Sequence, residues 1–121
     1  MKKIILASLV LLSTNTFAQS IDLSDLYARY TEADFSSMEL AEFNQTVDFQ
    51  ANIVSAEENL QGGALFEIAT LDDPETAVAR ITPANDAEFS KVKASKKVNL
   101  QCQLEMTMGS EYLAFGDCVL K

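Results

Sequence analysis

The chain of 121 residues contains no histidine and no tryptophan, and only two cysteines, two prolines and four glycines. Without histidine there is no Ser–His triad, no imidazole general base and no ligand of the kind zinc and copper most often take. Without tryptophan the strongest stacking side chain for single-stranded nucleic acids is missing. Positive charge is scarce too: nine Lys and Arg stand against eighteen Asp and Glu, a net charge of −9. Such a field repels phosphate backbones and anionic membrane surfaces and favours cationic partners. The two thiols, Cys102 and Cys118, lack the Cys-x-x-Cys spacing of a redox pair and point to a structural disulfide. Asp72-Asp73 and Glu57-Glu58 lack the spacing of a calcium loop, and no metal or cofactor is expected. Nothing nominates a catalytic group, so the expectation is a non-enzyme.

The amino-terminal residues carry an address. Lys2 and Lys3 precede an apolar run over 4–12 that is too short to span a bilayer, and Thr16 and Ala18 are small residues where a signal peptidase reads. Residues 1–18 are therefore expected to be a bacterial signal peptide cleaved after Ala18. No cysteine lies near that point, which argues for a soluble periplasmic or secreted product, not inserted in a membrane, rather than a lipid-anchored one. Cleavage leaves 103 residues, enough for one domain, and removes two of the nine basic residues, so that seven remain against eighteen acidic ones, a net charge of −11.

Beyond the leader the pattern is first helical. Leu23, Leu26, Tyr27, Tyr30 and Ala33 recur at three- and four-residue spacing among Asp22, Asp25, Arg29 and Glu32. Ser36 followed by Glu39 has the form of a capping box, which predicts a second short helix after a break near Asp34. Residues 19–44 thus read as a helical segment and 45–121 as the rest of the same domain. From Thr46 the period becomes two, with Val47, Phe49, Ala51 and Ile53 on one face. Further strands are expected over 64–71 and 76–81, a short helix over 83–93, and two closing strands.

Those closing strands carry the most specific local signal. If Cys102 and Cys118 face each other across an antiparallel hairpin, Leu100 pairs with Leu120, Leu104 with Gly116, Met106 with Ala114 and Met108 with Tyr112, leaving Gly109, Ser110 and Glu111 as a three-residue loop. Leu113, Phe115 and Val119 would then point outward and need an apolar cover, for which the N-terminal helix is the candidate.

An N-terminal helix, three strands, a helix and two strands is the order of an OB-fold, a mainly β, five-stranded barrel with a helix between its third and fourth strands. Tyr30, the first strand VDFQANIVS, the stretch FSKVKASKKVNLQC and the ending DCVLK make the chain resemble the tRNA_anti-like family of small exported OB-fold proteins. The resemblance implies the fold and no functional residues, and the chain departs from it at Ala51 and Cys102, where family members tend to have glycine.

In OB-folds ligands lie against the second and third strands and between two loops. Those loops place Glu57, Glu58 and Asn59 on one side and Ser110 and Glu111 on the other, an acidic rim without Lys or Arg. Phe66 is the only aromatic of the second and third strands and reads as core, and Lys91, Lys93, Lys96 and Lys97 read as a solvated helix end. The expected function is a non-enzymatic OB-fold binding protein of the bacterial envelope, an inhibitor or immunity protein for a basic partner. The alternative is an envelope stress protein holding a small cationic ligand in the barrel groove. Nucleic acid is not an expected partner, and the oligomeric state is left open.

Overall fold

The computed structural model describes residues 18–58, 63–92 and 96–121. The expected leader lies outside these residues except for Ala18, as do Asn59 and Lys93, and of Glu58 only the backbone is described. Six strands are present among them: β1 (Gln19–Ser20), β2 (Thr46–Glu58), β3 (Ala64–Ala69), β4 (Ala77–Pro83), β5 (Lys97–Leu104) and β6 (Leu113–Leu120). Their order is β1-β2-β3-β4-β6-β5, and a second pairing of β2 with β5 closes five of them into a barrel. β4 and β6 run parallel and the other barrel neighbours antiparallel, as the OB order requires.

β2 serves two neighbours because it bends. Thr46 to Asn52 pairs with β5 and Asn52 to Glu58 with β3, with a register shift between Ile53 and Ser55 at the change of partner. Val47, Phe49, Ala51 and Ile53 are buried as their alternation predicts. The barrel interior is filled by side chains, including a tilted pair of Phe49 and Phe115 rings 4.7 Å apart.

The C-terminal pairing differs from the expected register by one residue, and the reason is a bulge. Leu100 lies opposite Leu120 as expected, but Gln103 then faces Gly116 and Leu104 faces Phe115. Asp117, with φ +52°, lies at the shift and is the additional residue on β6. One inserted residue exchanges the two faces of a strand. Leu113 and Phe115 before the bulge and Cys118 after it are consequently all buried in the core. Leu113 and Phe115 need no cover from outside, contrary to the expectation. Cys102 and Cys118 are disulfide-bonded as expected, with Cα atoms 4.2 Å apart.

The expected three-residue loop is also replaced. β5 stops at Leu104, and the chain beyond it is captured by a turn after the helix in which Asp34 and Phe35 both adopt left-handed backbone. Ser36 bridges Met108, the Ser37 N–H donates to the Thr107 carbonyl at 3.1 Å, and the Gly109 N–H donates to the Phe35 carbonyl at 2.8 Å. The anticipated second helix shortens to one 3-10 turn, Ser37–Glu39, and the Ser36 hydroxyl makes no capping bond.

Helix α1 (Leu23–Glu32) closes one end of the barrel. The Asp22 carboxylate caps it by accepting from the Ser24 N–H at 2.9 Å. Leu23, Leu26 and Tyr30 are buried, and the Tyr30 hydroxyl donates to the Ser110 carbonyl at 2.6 Å. The opposite end is closed by Phe89, buried against Phe66 with ring centroids 5.5 Å apart. Here the expected helix over 83–93 is, across its described residues, a run of three-residue turns: Glu88 donates to Asn85, Phe89 to Asp86 and Val92 to Phe89. The Asn85 side chain accepts from the Ala87 N–H at 2.9 Å, an Asx turn that competes with a regular helical start.

Candidate ligand-binding face

A barrel filled with side chains leaves its outer faces for ligands. On the outer face of β3 and β4, Glu67 is the register partner of Arg80, and their side chains meet at 3.4 Å. The Arg80 guanidinium lies over the Tyr112 ring, 4.4 Å from its centroid, and the Ser55 hydroxyl donates to Glu67 at 3.2 Å. Ser55 of β2, Glu67 of β3, Arg80 of β4 and Tyr112 just before β6 therefore form one polar and aromatic cluster, centred on the two strands that OB-folds use for recognition. The sequence reading missed Arg80 and Tyr112. They are 32 positions apart in sequence and meet only because β4 and β6 pair in parallel, with Arg80 opposite Ala114.

The expected rim is not a single patch. Glu57 is exposed near the end of β2, where it accepts from the Ser55 hydroxyl at 3.2 Å. Ser110 and Glu111 lie in the β5–β6 connection, at the end of the barrel where β2 begins, and their carbonyls accept from Tyr30 and Tyr27. Phe66 is core, 4% exposed, as the sequence suggested. Lys91, Lys96 and Lys97 are exposed around Val92, Val98 and Leu120 at the end opposite α1.

A cavity of about 460 Å³ opens where β1, the start of α1 and the chain after β3 converge on β2. Asp22, Asp48, Gln50, Leu71, Asp72 and Asn99 contribute to its walls. The Gln50 amide donates to Asn99 at 2.8 Å, whereas the buried Oδ1 of Asp48 has no hydrogen-bond partner among the described residues. Hydrogen bonds from Ser24 hold the Asp22 carboxyl below its ordinary range. Glu105, just after β5, covers Gly116 of β6 so closely that a Cβ there would collide with its carboxylate, and burial, then the charge of Asp117, pushes the Glu105 carboxyl up. Among the described residues no group of three or more His, Cys, Asp or Glu is placed to hold a metal, and no helix is long and apolar enough to cross a membrane.

No protein-family model matches the sequence, and no curated protein matches it significantly. The fold is similar to the crystal structure of a "putative nucleic acid-binding lipoprotein" from Klebsiella pneumoniae subsp. pneumoniae MGH 78578, with a TM-score of 0.60 and 14% sequence identity over 86% of this chain and 92% of that one. At that identity the likeness is one of fold; it agrees with a barrel and does not establish the tRNA_anti-like family. It also corrects the reading of partners. The exclusion of nucleic acid is overturned by a barrel of this fold described as nucleic acid-binding; it had rested on the acidic rim and on Phe66 as the sole aromatic of the second and third strands, and took no account of Arg80 stacked over the half-buried Tyr112. The comparison offers no support for a cationic partner.

Proposed function

We propose that the chain is a non-enzymatic binding protein of the bacterial envelope, acting as an inhibitor or immunity protein. The observation that carries this reading is an acidic surface left largely uncompensated. Both arginines are already committed, Arg29 to Asp25 and Glu42 and Arg80 to Glu67. Asp22, Glu32, Asp34, Glu39, Asp72, Asp73 and Glu75 are exposed and have no ion pair among the described residues. Such a surface steers a basic protein toward it at a rate that falls as salt screens the field. The leader pattern and a structural neighbour described as a lipoprotein support the envelope as the place of action.

A second reading is favoured by the Arg80–Tyr112 stack, on which a base of a single-stranded oligonucleotide could lie. One experiment addresses both. Immobilised protein is exposed to envelope extract at low and high salt, and in parallel a labelled single-stranded oligonucleotide is titrated by anisotropy. A stoichiometric basic protein that elutes with salt, and whose activity the purified chain blocks, supports the first reading. Oligonucleotide binding that weakens by about 1–3 kcal/mol in Y112A supports the second. Retention of nothing in either arm refutes the binding role.

A further inference from the structure

The outward positions of β2 and β5 form a seam of amides and a carboxylate. Asp48 is the register partner of Gln101, Gln50 of Asn99 and Asn52 of Lys97. Asp and Asn are depleted in strands, so their gathering on one seam of the barrel is a cost to folding that a ligand would account for. The cavity of about 460 Å³ lies on this seam, within the size range of small-molecule sites, and Asp48, Gln50 and Asn99 all line it. Asp48 and Gln50 are two residues apart on one strand, about 7 Å, and Asn99 lies directly opposite Gln50, with Cβ atoms about 4.5–5.5 Å apart. Their hydrogen-bonding capacity is largely unspent. The Gln50 amide donates once, to the Asn99 side-chain oxygen at 2.8 Å, which leaves the Gln50 oxygen and the Asn99 N–H groups without a partner among the described residues. The Asp48 carboxylate accepts from no described residue and makes no ion pair with one.

The rest of the wall sets the class of ligand. Leu71, 43% exposed, and the half-buried Ile21 are apolar, and the turn that carries Leu71 is fixed by the Asn52 amide donating to the Thr70 carbonyl at 3.2 Å and the Asp73 N–H donating to the Thr70 hydroxyl at 3.3 Å. Phe49 is 5% exposed and packed against Phe115, so it offers no ring face for a base to stack on. Charge favours neither sign. An anion would meet Asp22, Asp48 and Asp72; a cation would meet Lys121 and the first turn of α1, while the Asp22 carboxylate is already spent on the N–H and hydroxyl of Ser24. Acceptors and donors set beside an apolar wall match a neutral ring that carries hydroxyls, each both donor and acceptor, along its edge and C–H groups on its face. We propose that this cavity binds a neutral oligosaccharide, with Asp48 and Gln50 accepting hydrogen bonds from its hydroxyls and Asn99 donating to them. The site lies on a different seam of the barrel from the Arg80–Tyr112 cluster and depends on neither reading of the function given above.

The test titrates the isotopically labelled chain with three neutral trisaccharides, maltotriose, cellotriose and triacetylchitotriose, and follows its amide resonances by NMR. At least one is expected to bind saturably, shifting the side-chain amides of Gln50 and Asn99 and the backbone of Asp48 and Leu71, with an affinity that salt leaves unchanged because the ligand carries no charge. Gln50 and Asn99 are exposed, so Q50A/N99A should keep its melting temperature within a few degrees while losing binding by about tenfold, the loss expected of one or two hydrogen bonds. D48N, which preserves shape and removes only the charge, should weaken binding less, and R80A should leave it unaltered. Saturable binding of none of the three sugars, undiminished binding by Q50A/N99A, or shifts confined to the surroundings of Arg80 would each overturn the proposal. So would tighter binding of trigalacturonate or spermidine than of every neutral sugar, since either would assign the cavity to a charged ligand.

Discussion

Replacing Arg29 by methionine should destabilise the fold in a way that depends on pH with a sign set by Glu42. The two side chains meet as a fork, Nη1 to Oε1 at 3.0 Å and Nη2 to Oε2 at 2.7 Å, and tie α1 to the segment that leads into β2. Their environments are unequal, since the Glu42 side chain is 5% exposed and that of Arg29 37%. R29M keeps most of the arginine's aliphatic packing and leaves a buried carboxylate without its partner. Orphaning one member of a fully buried pair costs about 3–5 kcal/mol; water already screens Arg29, so about 2 kcal/mol is expected at pH 7. In the native chain the hydrogen bond from Arg29 holds the Glu42 carboxyl below its ordinary range. Its stabilisation is therefore complete above the unfolded value of about 4.3 and is lost as pH falls through the folded value. In R29M burial acts alone and raises the same carboxyl, so the deficit at pH 7 should shrink as acid neutralises it. Urea unfolding followed by circular dichroism from pH 7 to pH 4 measures this difference. R29M/E42Q should recover more than half of the loss at pH 7. A deficit independent of pH, or a double variant no more stable than R29M, would refute the account.

Reducing the Cys102–Cys118 disulfide, which closes a 16-residue separation, should lower stability by about 3 kcal/mol, visible as a lower melting temperature under reducing than under non-reducing conditions. F89A removes a ring 2% exposed and should cost about 3–5 kcal/mol in denaturant unfolding; a loss below about 1 kcal/mol would mean that Phe89 does not plug the barrel. E105Q should stabilise the chain at pH 7 and be neutral near pH 4, because a carboxyl whose folded value is raised loses stability as pH climbs through it. R80A should leave the melting temperature within a few degrees, since its ion pair is half exposed, while weakening any oligonucleotide bound on the outer face.

The barrel was legible because its strands alternate cleanly and its turns are marked by Gly, Asp and Pro. Val47, Phe49, Ala51 and Ile53 announce both the strand and its buried face, and all four are buried. The β5–β6 connection was not legible, for reasons of competition rather than propensity. Val98 to Met108 alternates without a break, but only residues up to Leu104 stay in the strand, because the left-handed turn at Asp34 and Phe35 offers a second edge to Met108. The bulge at Asp117 was equally hidden: aspartate is one of the few residues other than glycine that adopts left-handed backbone readily, yet a single Gly-Asp pair inside an apolar run does not distinguish a bulge from a turn. The inter-strand segment was misread because Ala87, Phe89 and Val92 satisfy a helical count equally well when one phenylalanine alone turns inward.

The same bulge explains why the cluster of Arg80 and Tyr112 escaped notice. Read without it, β6 places Leu113 and Phe115 outside and needs the helix as their cover, which consumes α1 and leaves no reason to look for Tyr112. With it, Leu113 and Phe115 fill the barrel, α1 is free to plug its end through Tyr30, and Tyr112, just before β6, comes to rest under Arg80. A one-residue insertion thus decides which side chains are core and which are available to a ligand. Deleting Asp117 is the corresponding test of this coupling. It should push Leu113 and Phe115 outward, unfold or aggregate the chain, and separate the two cysteines' faces, whereas D117G, which supplies the same left-handed backbone more easily, should fold with the native disulfide and an unchanged or higher melting temperature.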